Sequence, residues 1–217
     1  LVSLELEGGA FVRYDFGGED EGEGEVEVGV DFRRLAAVLK GQGGGRERDG
    51  EVVEALVSRS RLKLRIGNRI SFFEYTLRLL DPSSLRKPPK IPELEFPCVA
   101  SVDAASLLRA VRAAKRVADH VTVGVGVGDD RRTLFVAAEG YDEAVRAEFD
   151  DENAYVDAAA PAASKFSVKY LEPMLGAAAR AADIVTLHLG SDVPLRLDFE
   201  FDGCRAAYLL APRIEVE

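Results

Sequence analysis

The chain has 217 residues, 47% of them hydrophobic, and a formal net charge of −10. This length can bury one large core or two cores of roughly 100 residues each, and no apolar run approaches the ~20 residues that cross a bilayer, so we expect a soluble protein without membrane partners. Cys98 and Cys204 lie far apart without metal-spaced neighbours, which excludes a disulfide framework and a zinc site and favours an intracellular, cytoplasmic location. No charged-then-apolar leader opens the chain, so no secretory signal is expected.

The first 80 residues predict one strand, one helix and three further strands. Leu1–Phe16 alternates between apolar and polar residues like a strand, and the acidic, glycine-rich residues 17–24 predict a loop. Residues 31–40 predict a short amphipathic helix, with Asp31 as its N-cap and Gly41 just past its end. The segments that follow predict strands at residues 52–57, 61–66 and 70–80.

A proline-rich connector follows these elements. Residues 80–97, LDPSSLRKPPKIPELEFP, hold five of the nine prolines of the chain, so neither a helix nor a central strand continues through them. The connector divides the chain into a first domain at residues 1–80, an interdomain connecting loop at residues 81–94 and a second domain at residues 95–217.

After the connector, the pattern of one strand, one helix and three strands occurs twice. Strands are predicted at residues 95–102, 121–127, 133–138, 144–149, 165–168, 184–189, 195–200 and 205–210, and helices at residues 103–118 and 170–182. The helices start at Val30-Asp31, Val102-Asp103 and Val168-Lys169, about 70 residues apart, which indicates three βαβββ half-domains. If two half-domains make one domain, the first domain lacks roughly 45 residues of its first half, and Leu1–Phe16 is the remnant of that half.

Two segments near the end of the chain resemble a known family. Residues 183–199, DIVTLHLGSDVPLRLDF, and residues 208–215, YLLAPRIE, closely resemble the end of archaeal and eukaryotic sliding clamps, the proliferating cell nuclear antigen family. The resemblance extends to residues 165–171 (KFSVKYL), to Ile91-Pro92-Glu93 and to residues 73–81 (FEYTLRLLD). It implies an α+β DNA clamp fold, in which two similar domains are built from βαβββ halves and three subunits close into a ring with helices inside and sheets outside.

The resemblance also implies a function. The protein would be a subunit of a DNA polymerase sliding clamp, a non-enzymatic processivity factor that encircles duplex DNA and tethers replication and repair proteins. The implied partners are PCNA-like subunits in a homo- or heterotrimer, and DNA polymerase, a clamp loader, flap endonuclease and DNA ligase, bound through short peptide motifs. One alternative is a clamp-like regulatory paralogue that acts mainly as a protein-interaction subunit of a heteromeric ring.

The predicted helices carry basic residues although the chain as a whole is acidic. A ring that slides on duplex DNA needs phosphate-directed charge but no base readout, so Arg and Lys on its inner wall suffice. The sequence alone favours solvated faces of ordinary amphipathic helices, whereas the resemblance implies that these faces meet DNA. The predicted DNA-binding residues are Arg33, Arg34, Lys40, Arg109, Arg112, Lys115, Arg116 and Arg180. In the third helix, Pro173 is expected to disturb the early turns, and Glu172 places a carboxylate where the resemblance implies a base.

The connector and the tail together suggest a groove for client peptides, because exposed apolar patches on extended backbone are common docking surfaces. The resemblance implies pocket positions at Leu1, Ile91, Pro92, Pro194, Leu209, Ala211, Pro212 and Ile214. Simple hydrophobic closure of the second domain suits Leu209 and Pro194 equally well. The resemblance also implies that Tyr75 lies at the subunit interface, where its strand would pair with residues 144–150 of a neighbouring subunit.

Catalysis finds little support in the sequence. It has no GxxxxGK[ST] motif, and the GVGVG run at residues 124–128 lacks the spacing of a dinucleotide loop, so no cofactor is expected. His120 and His188 stand without metal-spaced partners and receive no role. A second alternative, an α+β enzyme that holds a metal ion with the acidic residues 19–27 and 148–152, is disfavoured by their unpatterned placement, so neither catalytic nor metal-binding residues are predicted.

Overall fold

The computed structural model of the protein describes residues 2–6, 11, 13, 28–42, 52–58, 60–68, 70–85, 94–128 and 131–213. The chain divides into two compact units, a larger one of Leu1–Phe16 and Ile91–Glu217 and a smaller one of Gly17–Lys90. None of the helices in this described part of the chain is long and apolar enough to cross a membrane.

The three predicted helices are present, and nearly all described strands coincide with predicted ones. In chain order, the elements are β1 (Val2–Leu6), α1 (Phe32–Gln42), β2 (Val52–Val57), β3 (Arg61–Gly67), β4 (Phe72–Arg78), a short 3-10 helix (Pro82–Ser84), β5 (Cys98–Asp103), α2 (Ala104–Ala114), β6 (His120–Val127), β7 (Arg132–Glu139), β8 (Ala144–Phe149), β9 (Ala154–Ala158), β10 (Ala162–Ser167), α3 (Val168–Ala181), β11 (Ile184–Leu189), β12 (Leu195–Phe201) and β13 (Cys204–Leu210).

The smaller unit consists of α1 and a three-stranded antiparallel sheet in the order β2-β3-β4. In β3, apolar and basic residues alternate, so one face of the strand is apolar and the other is charged. Leu62, Leu64 and Ile66 are buried, whereas the basic residues between them are exposed to solvent. Burial of every second residue therefore explains why this segment forms a strand.

The larger unit contains α2, α3 and two sheets. One sheet has six strands in the order β1-β13-β12-β11-β5-β9, and the other has four strands in the order β10-β6-β7-β8. β1 pairs antiparallel with β13, with Val2 opposite Tyr208, so residues near the start of the chain join a sheet that is otherwise built after the connector. The predicted division of the chain into a first domain at residues 1–80, a connecting loop at residues 81–94 and a second domain at residues 95–217 stays a prediction.

Strand β9 is the element that the sequence analysis misses. It is the last strand of the six-stranded sheet and pairs with β5, with Cys98 opposite Ala158. Its alternation is carried by Ala154, Val156 and Ala158, whose small side chains give a weak apolar signal next to the acidic turn before it. The backbone pairing with β5 stabilises the strand where local sequence preference does not.

Aspartate side chains cap the first two helices. Asp31 Oδ1 accepts hydrogen bonds from the backbone N–H groups of Arg33 (3.0 Å) and Arg34 (3.2 Å), which confirms the predicted N-cap of α1. Asp103 Oδ1 accepts a hydrogen bond from the Ser106 backbone N–H at 2.7 Å and so caps α2. These two caps fix the start of each helix and thereby the direction in which its later side chains point.

The helix ends differ from prediction. α1 continues past Gly41, because glycine can also adopt helical dihedral angles. α2 ends at Ala114 rather than at residue 118, since Arg116 N and Val117 N donate to oxygens three positions back, Ala113 O at 3.1 Å and Ala114 O at 2.9 Å. α3 runs through Pro173, so the predicted disturbance of its early turns does not interrupt the helix. The fixed φ of proline is itself helical, so the helix continues at the cost of one backbone hydrogen bond and of crowding between the proline ring and the carbonyl four residues earlier.

The core of the larger unit is formed by the apolar stripes of α2 and α3 and by the strands that they contact. Leu107 and Val111 of α2 and Leu171 and Leu175 of α3 are buried, as the spacing of three and four residues predicts. Phe166 of β10 is completely buried among them. The two helices therefore lie side by side with their polar faces turned away from the core.

Candidate nucleic-acid interface

A cationic groove of about 600 Å³ lies between α2 and α3. It is lined by four arginines, Arg109 and Arg112 of α2, Arg116 in the turn after α2 and Arg180 of α3, and by the small or apolar residues Ala105, Leu108, Ala113, Gly176 and Ala179. A Cβ atom built at Gly176 would meet nothing within 4 Å, so the groove has room at this position. The structure thus brings half of the predicted DNA-binding residues together.

Helical spacing explains why Arg109 and Arg112 of α2 share one side with Arg116, which lies in the turn that directly continues the helix. Arg109, Arg112 and Arg116 follow each other at intervals of three and four residues, and all three side chains are exposed. Leu107 and Val111 lie on the other side, in the core. Burial of the apolar stripe therefore fixes the arginines at the surface, and a planar guanidinium with several N–H donors suits contacts to phosphate oxygens.

One carboxylate of α3 holds two cations, Arg112 of α2 and Lys115 at the C-cap of that helix. Arg112 Nε lies 3.3 Å from Glu172 Oε1, and Lys115 Nζ lies 2.6 Å from Glu172 Oε2. The hydrogen bond from Lys115 chiefly, with that from Arg112, holds the pKa of the Glu172 carboxyl below its ordinary value against the opposing effect of burial. Arg116 and Arg180 have no ion pair among the residues that the structure describes.

The remaining predicted DNA-binding residues belong to the smaller unit. Arg33, Arg34 and Lys40 are exposed on α1. Arg34 Nε lies 3.5 Å from the Asp31 carboxylate that caps the helix. These three residues are therefore solvent-accessible cations, and their role toward DNA stays a prediction.

The predicted client pocket is described in part. Leu1, Ile91, Pro92 and Ile214 lie outside the described residues, and Pro194, Leu209, Ala211 and Pro212 lie within them. Leu195 pairs with Leu210, so Pro194 and Ala211 stand opposite each other just beyond the ends of β12 and β13. Arg213 N donates to Lys165 O at 2.7 Å, which fixes the segment after β13 beside β10. The register thus brings described pocket positions from the two strands together.

A second hollow, of about 500 Å³, was not anticipated from the sequence. It is lined by Glu95, Phe96, Pro97, Gly190, Ser191 and Val193, the last of which directly precedes Pro194. Ser164 Oγ donates to Gly190 O at 2.7 Å and so connects the hollow to β10. The signal that could have revealed it is Phe96-Pro97, an aromatic residue and a proline at the end of the connector.

Tyr75 lies on an outer strand. It is half-buried on β4, opposite Leu64 of β3. β4 and β8 are each the last strand of their sheet within the described residues. Outer strands offer backbone groups for pairing with another chain, which is the geometry that the predicted subunit contact requires.

Asp150, Asp198 and His188 are engaged in local contacts, whereas the buried Nδ1 of His120 has no hydrogen-bond partner among the described residues. Asp150 binds the side chains of Arg131 and Asn153, and His188 Nε2 lies 3.0 Å from Asp198 Oδ2 on the neighbouring strand. Burial raises the pKa of Asp198, but hydrogen bonds from His188 and Arg196 prevail and hold that pKa below its ordinary value. No group of three or more His, Cys, Asp or Glu side chains in the described part of the chain could hold a metal ion.

Comparison with known proteins identifies the family. The family profile described as proliferating cell nuclear antigen, C-terminal domain, matches residues 90–213. The DNA polymerase sliding clamp of Methanothrix thermoacetophila is 36% identical over 218 residues, which cover 100% of this chain and 82% of that relative. The chain belongs to the proliferating cell nuclear antigen family of DNA polymerase sliding clamps. The sliding clamp of Halobacterium salinarum is 34% identical over 99% of this chain and 81% of its own length.

Solved sliding clamps have the same fold. The A. fulgidus clamp, in a structure with the C-terminal region of FEN-1 bound, matches with a TM-score of 0.80 and 30% identity over 100% of this chain and 81% of that one. The Thermococcus kodakaraensis clamp matches with a TM-score of 0.79 and 27% identity over 98% and 81%. These matches confirm the predicted α+β clamp fold. The prediction from the resemblance that the protein is a DNA polymerase sliding clamp is confirmed as well.

Proposed function

We propose that this clamp contacts duplex DNA through the arginine groove between α2 and α3, together with Lys115 and the α1 cations Arg33, Arg34 and Lys40. The observation that carries the proposal is the convergence of four arginines on one groove while the chain as a whole has a net charge of −10. Contacts to phosphates alone are weak and independent of base sequence, so the protein can move along the duplex while the closed ring retains it. The clamp itself has no catalytic activity, in keeping with its family.

Topology provides the test of the proposed function. We expect the clamp, once placed on a nicked circular duplex by a clamp loader, to remain on that DNA through gel filtration and to be lost when the circle is cut once. A ring held by encirclement slides off a free end, whereas a protein bound by local contacts does not. Equal retention on circular and cut DNA at moderate salt would contradict encirclement, and so the function of a closed ring that slides on DNA.

We propose further that the clamp assembles as a homo- or heterotrimer of PCNA-like subunits, with β4 of one subunit beside β8 of the next. Tyr75→Ala is expected to weaken this assembly, because it removes an aromatic side chain from an outer strand. Light scattering over a dilution series measures the change, with Tyr170→Ala, an exposed tyrosine of α3 away from β4 and β8, as the control. A Tyr75→Ala protein that assembles like the control, alone and with sister subunits, would reject this contact.

We propose that client proteins dock at the surface formed by Pro194, Leu209, Ala211 and Pro212 and extended by the adjacent hollow at Phe96 and Pro97. DNA polymerase, the clamp loader, flap endonuclease and DNA ligase would reach it through short peptide motifs. The proposal is supported by the apolar residues at and just beyond the ends of β12 and β13 and by the hollow beside Pro97. Such a surface suits an extended peptide. Since its ligand is duplex DNA, we place the protein in the cytoplasm with the nucleoid.

A further inference from the structure

Glu172 is the one acidic residue in the sequence of α3, and its side chain points toward α2 and is only partly exposed to solvent. Its side chain is 21% exposed, against 60% for Arg112 and 59% for Lys115. Each of its two oxygens engages a different cation of α2. The carboxylate therefore bridges the two helices at the edge of the cationic groove.

A carboxylate and a phosphate compete for the same N–H donors. Both present negatively charged oxygens to guanidinium and ammonium groups at similar distances. A phosphate that approaches Arg112 and Lys115 meets a triad with a net charge of +1, not two separate cations. Arg109, in contrast, donates a hydrogen bond to the neutral Ser106 hydroxyl at 3.1 Å and interacts with the Asp103 carboxylate through electrostatics without a described ion pair. No described side chain pairs with Arg116 or Arg180 in an ion pair.

We propose that Glu172 is a positioning residue that sets how tightly, and with what salt dependence, this face of the clamp holds duplex DNA. It holds Arg112 and Lys115 in place beside the groove and partly neutralises their positive charge. The remaining arginines, Arg109, Arg116 and Arg180, then make most of the contacts to phosphate. The inference rests on the proposed DNA contact. Weaker attraction to phosphate lowers the free-energy barrier to movement of the clamp along the duplex. The closed ring keeps the clamp on the DNA.

The test compares Glu172→Gln with Glu200→Gln. The control also removes one negative charge and one surface ion pair, that of Glu200 with Arg205 at 3.1 Å on the exposed face of β12. Duplex binding is measured by fluorescence anisotropy between roughly 50 and 200 mM salt. We expect Glu172→Gln to bind more tightly, with a slope of log K against log salt steeper by about 1 to 2, because up to two further phosphate contacts form. The control should keep the slope of the wild type.

Two further measurements separate electrostatics from structure. In Arg112→Ala/Lys115→Ala, adding Glu172→Gln should no longer steepen the slope, because the cations that it releases are absent. Modification of Lys115 by acetic anhydride, followed by mass spectrometry without DNA, should be faster in Glu172→Gln than in the control. Thermal unfolding verifies that each variant is folded.

The outcomes also distinguish this inference from the proposed DNA contact. A slope in Glu172→Gln equal to that of Glu200→Gln, while Arg109→Ala lowers the slope, would overturn the role of Glu172 and leave the groove intact. If Arg109→Ala, Arg116→Ala and Arg180→Ala all leave the slope unchanged, the groove itself does not meet DNA and both proposals fail. A steeper slope that persists in the Arg112→Ala/Lys115→Ala background would likewise overturn the positioning role.

Discussion

Replacing Arg109, Arg112 and Arg116 together by alanine is expected to abolish most of the attraction of this clamp for duplex DNA. Each arginine lost removes about one phosphate contact, so the slope of log K against log salt should fall by roughly 2 to 3 per subunit. Arg112 contributes least to this change, because Glu172 already holds it at 3.3 Å. Retention of the loaded clamp on circular DNA and stimulation of polymerase should decline together, most clearly at elevated salt.

The matched control replaces three strand or turn arginines that are just as accessible. Arg131, Arg196 and Arg205 have side chains that are 60%, 50% and 61% exposed, and each forms a surface ion pair. Surface ion pairs contribute only about 0 to 1 kcal/mol, so the control protein should fold normally. If the α2 triple variant stimulates polymerase like the control at both low and high salt, α2 does not contribute to the DNA-facing wall.

Deleting residues 212–217 is expected to remove most of the affinity for client peptides. A peptide with the Gln, aliphatic and paired aromatic residues of clamp-binding motifs should bind the intact protein with a micromolar dissociation constant, equivalent to about −8 kcal/mol. The deletion takes away Pro212 and the Arg213 N–H that bonds to Lys165 O at 2.7 Å, so the segment beside β10 loses its anchor. Calorimetry measures the loss directly.

Two controls make this result specific to the docking surface. Ile184→Ala shortens an exposed aliphatic side chain at the far end of β11 and should leave peptide binding unchanged. A peptide with Ala in place of Gln and both aromatics should not bind either protein. Equal peptide affinity of intact and truncated clamp would reject the assignment of the tail to the pocket.

The sequence predicts the elements of this fold well where alternation or helical spacing is strong. In β3, Leu62, Leu64 and Ile66 alternate with basic residues, and in α2 Leu107 and Val111 are separated by four positions. In such segments, the burial that stabilises the element also creates the pattern that predicts it. The same pattern places the α2 arginines on the opposite side of the helix, which is why that part of the candidate site could be predicted.

Contacts between distant residues could not be predicted in the same way. Arg112 and Glu172 are 60 positions apart, and only the packing of α2 beside α3 brings them to 3.3 Å. The hollow next to Pro97 likewise combines the end of the connector with the turn at Gly190. The secondary-structure preferences of single segments carry no information on which distant residues meet. The resemblance implied only that Glu172 occupies a position where a basic residue would be expected.

The pairing of β1 with β13 has a consequence for how the chain folds. Contact between Val2 and Tyr208 closes a loop of about 200 residues, which includes the whole smaller unit, so its closure entropy exceeds that of any hairpin in the molecule. Val2, Leu4 and Leu6 remain at least half exposed, so backbone hydrogen bonds rather than apolar burial hold the strand in place. During synthesis, residues 2–6 cannot pair with β13 until that strand has left the ribosome, so the strand order of this sheet is completed late.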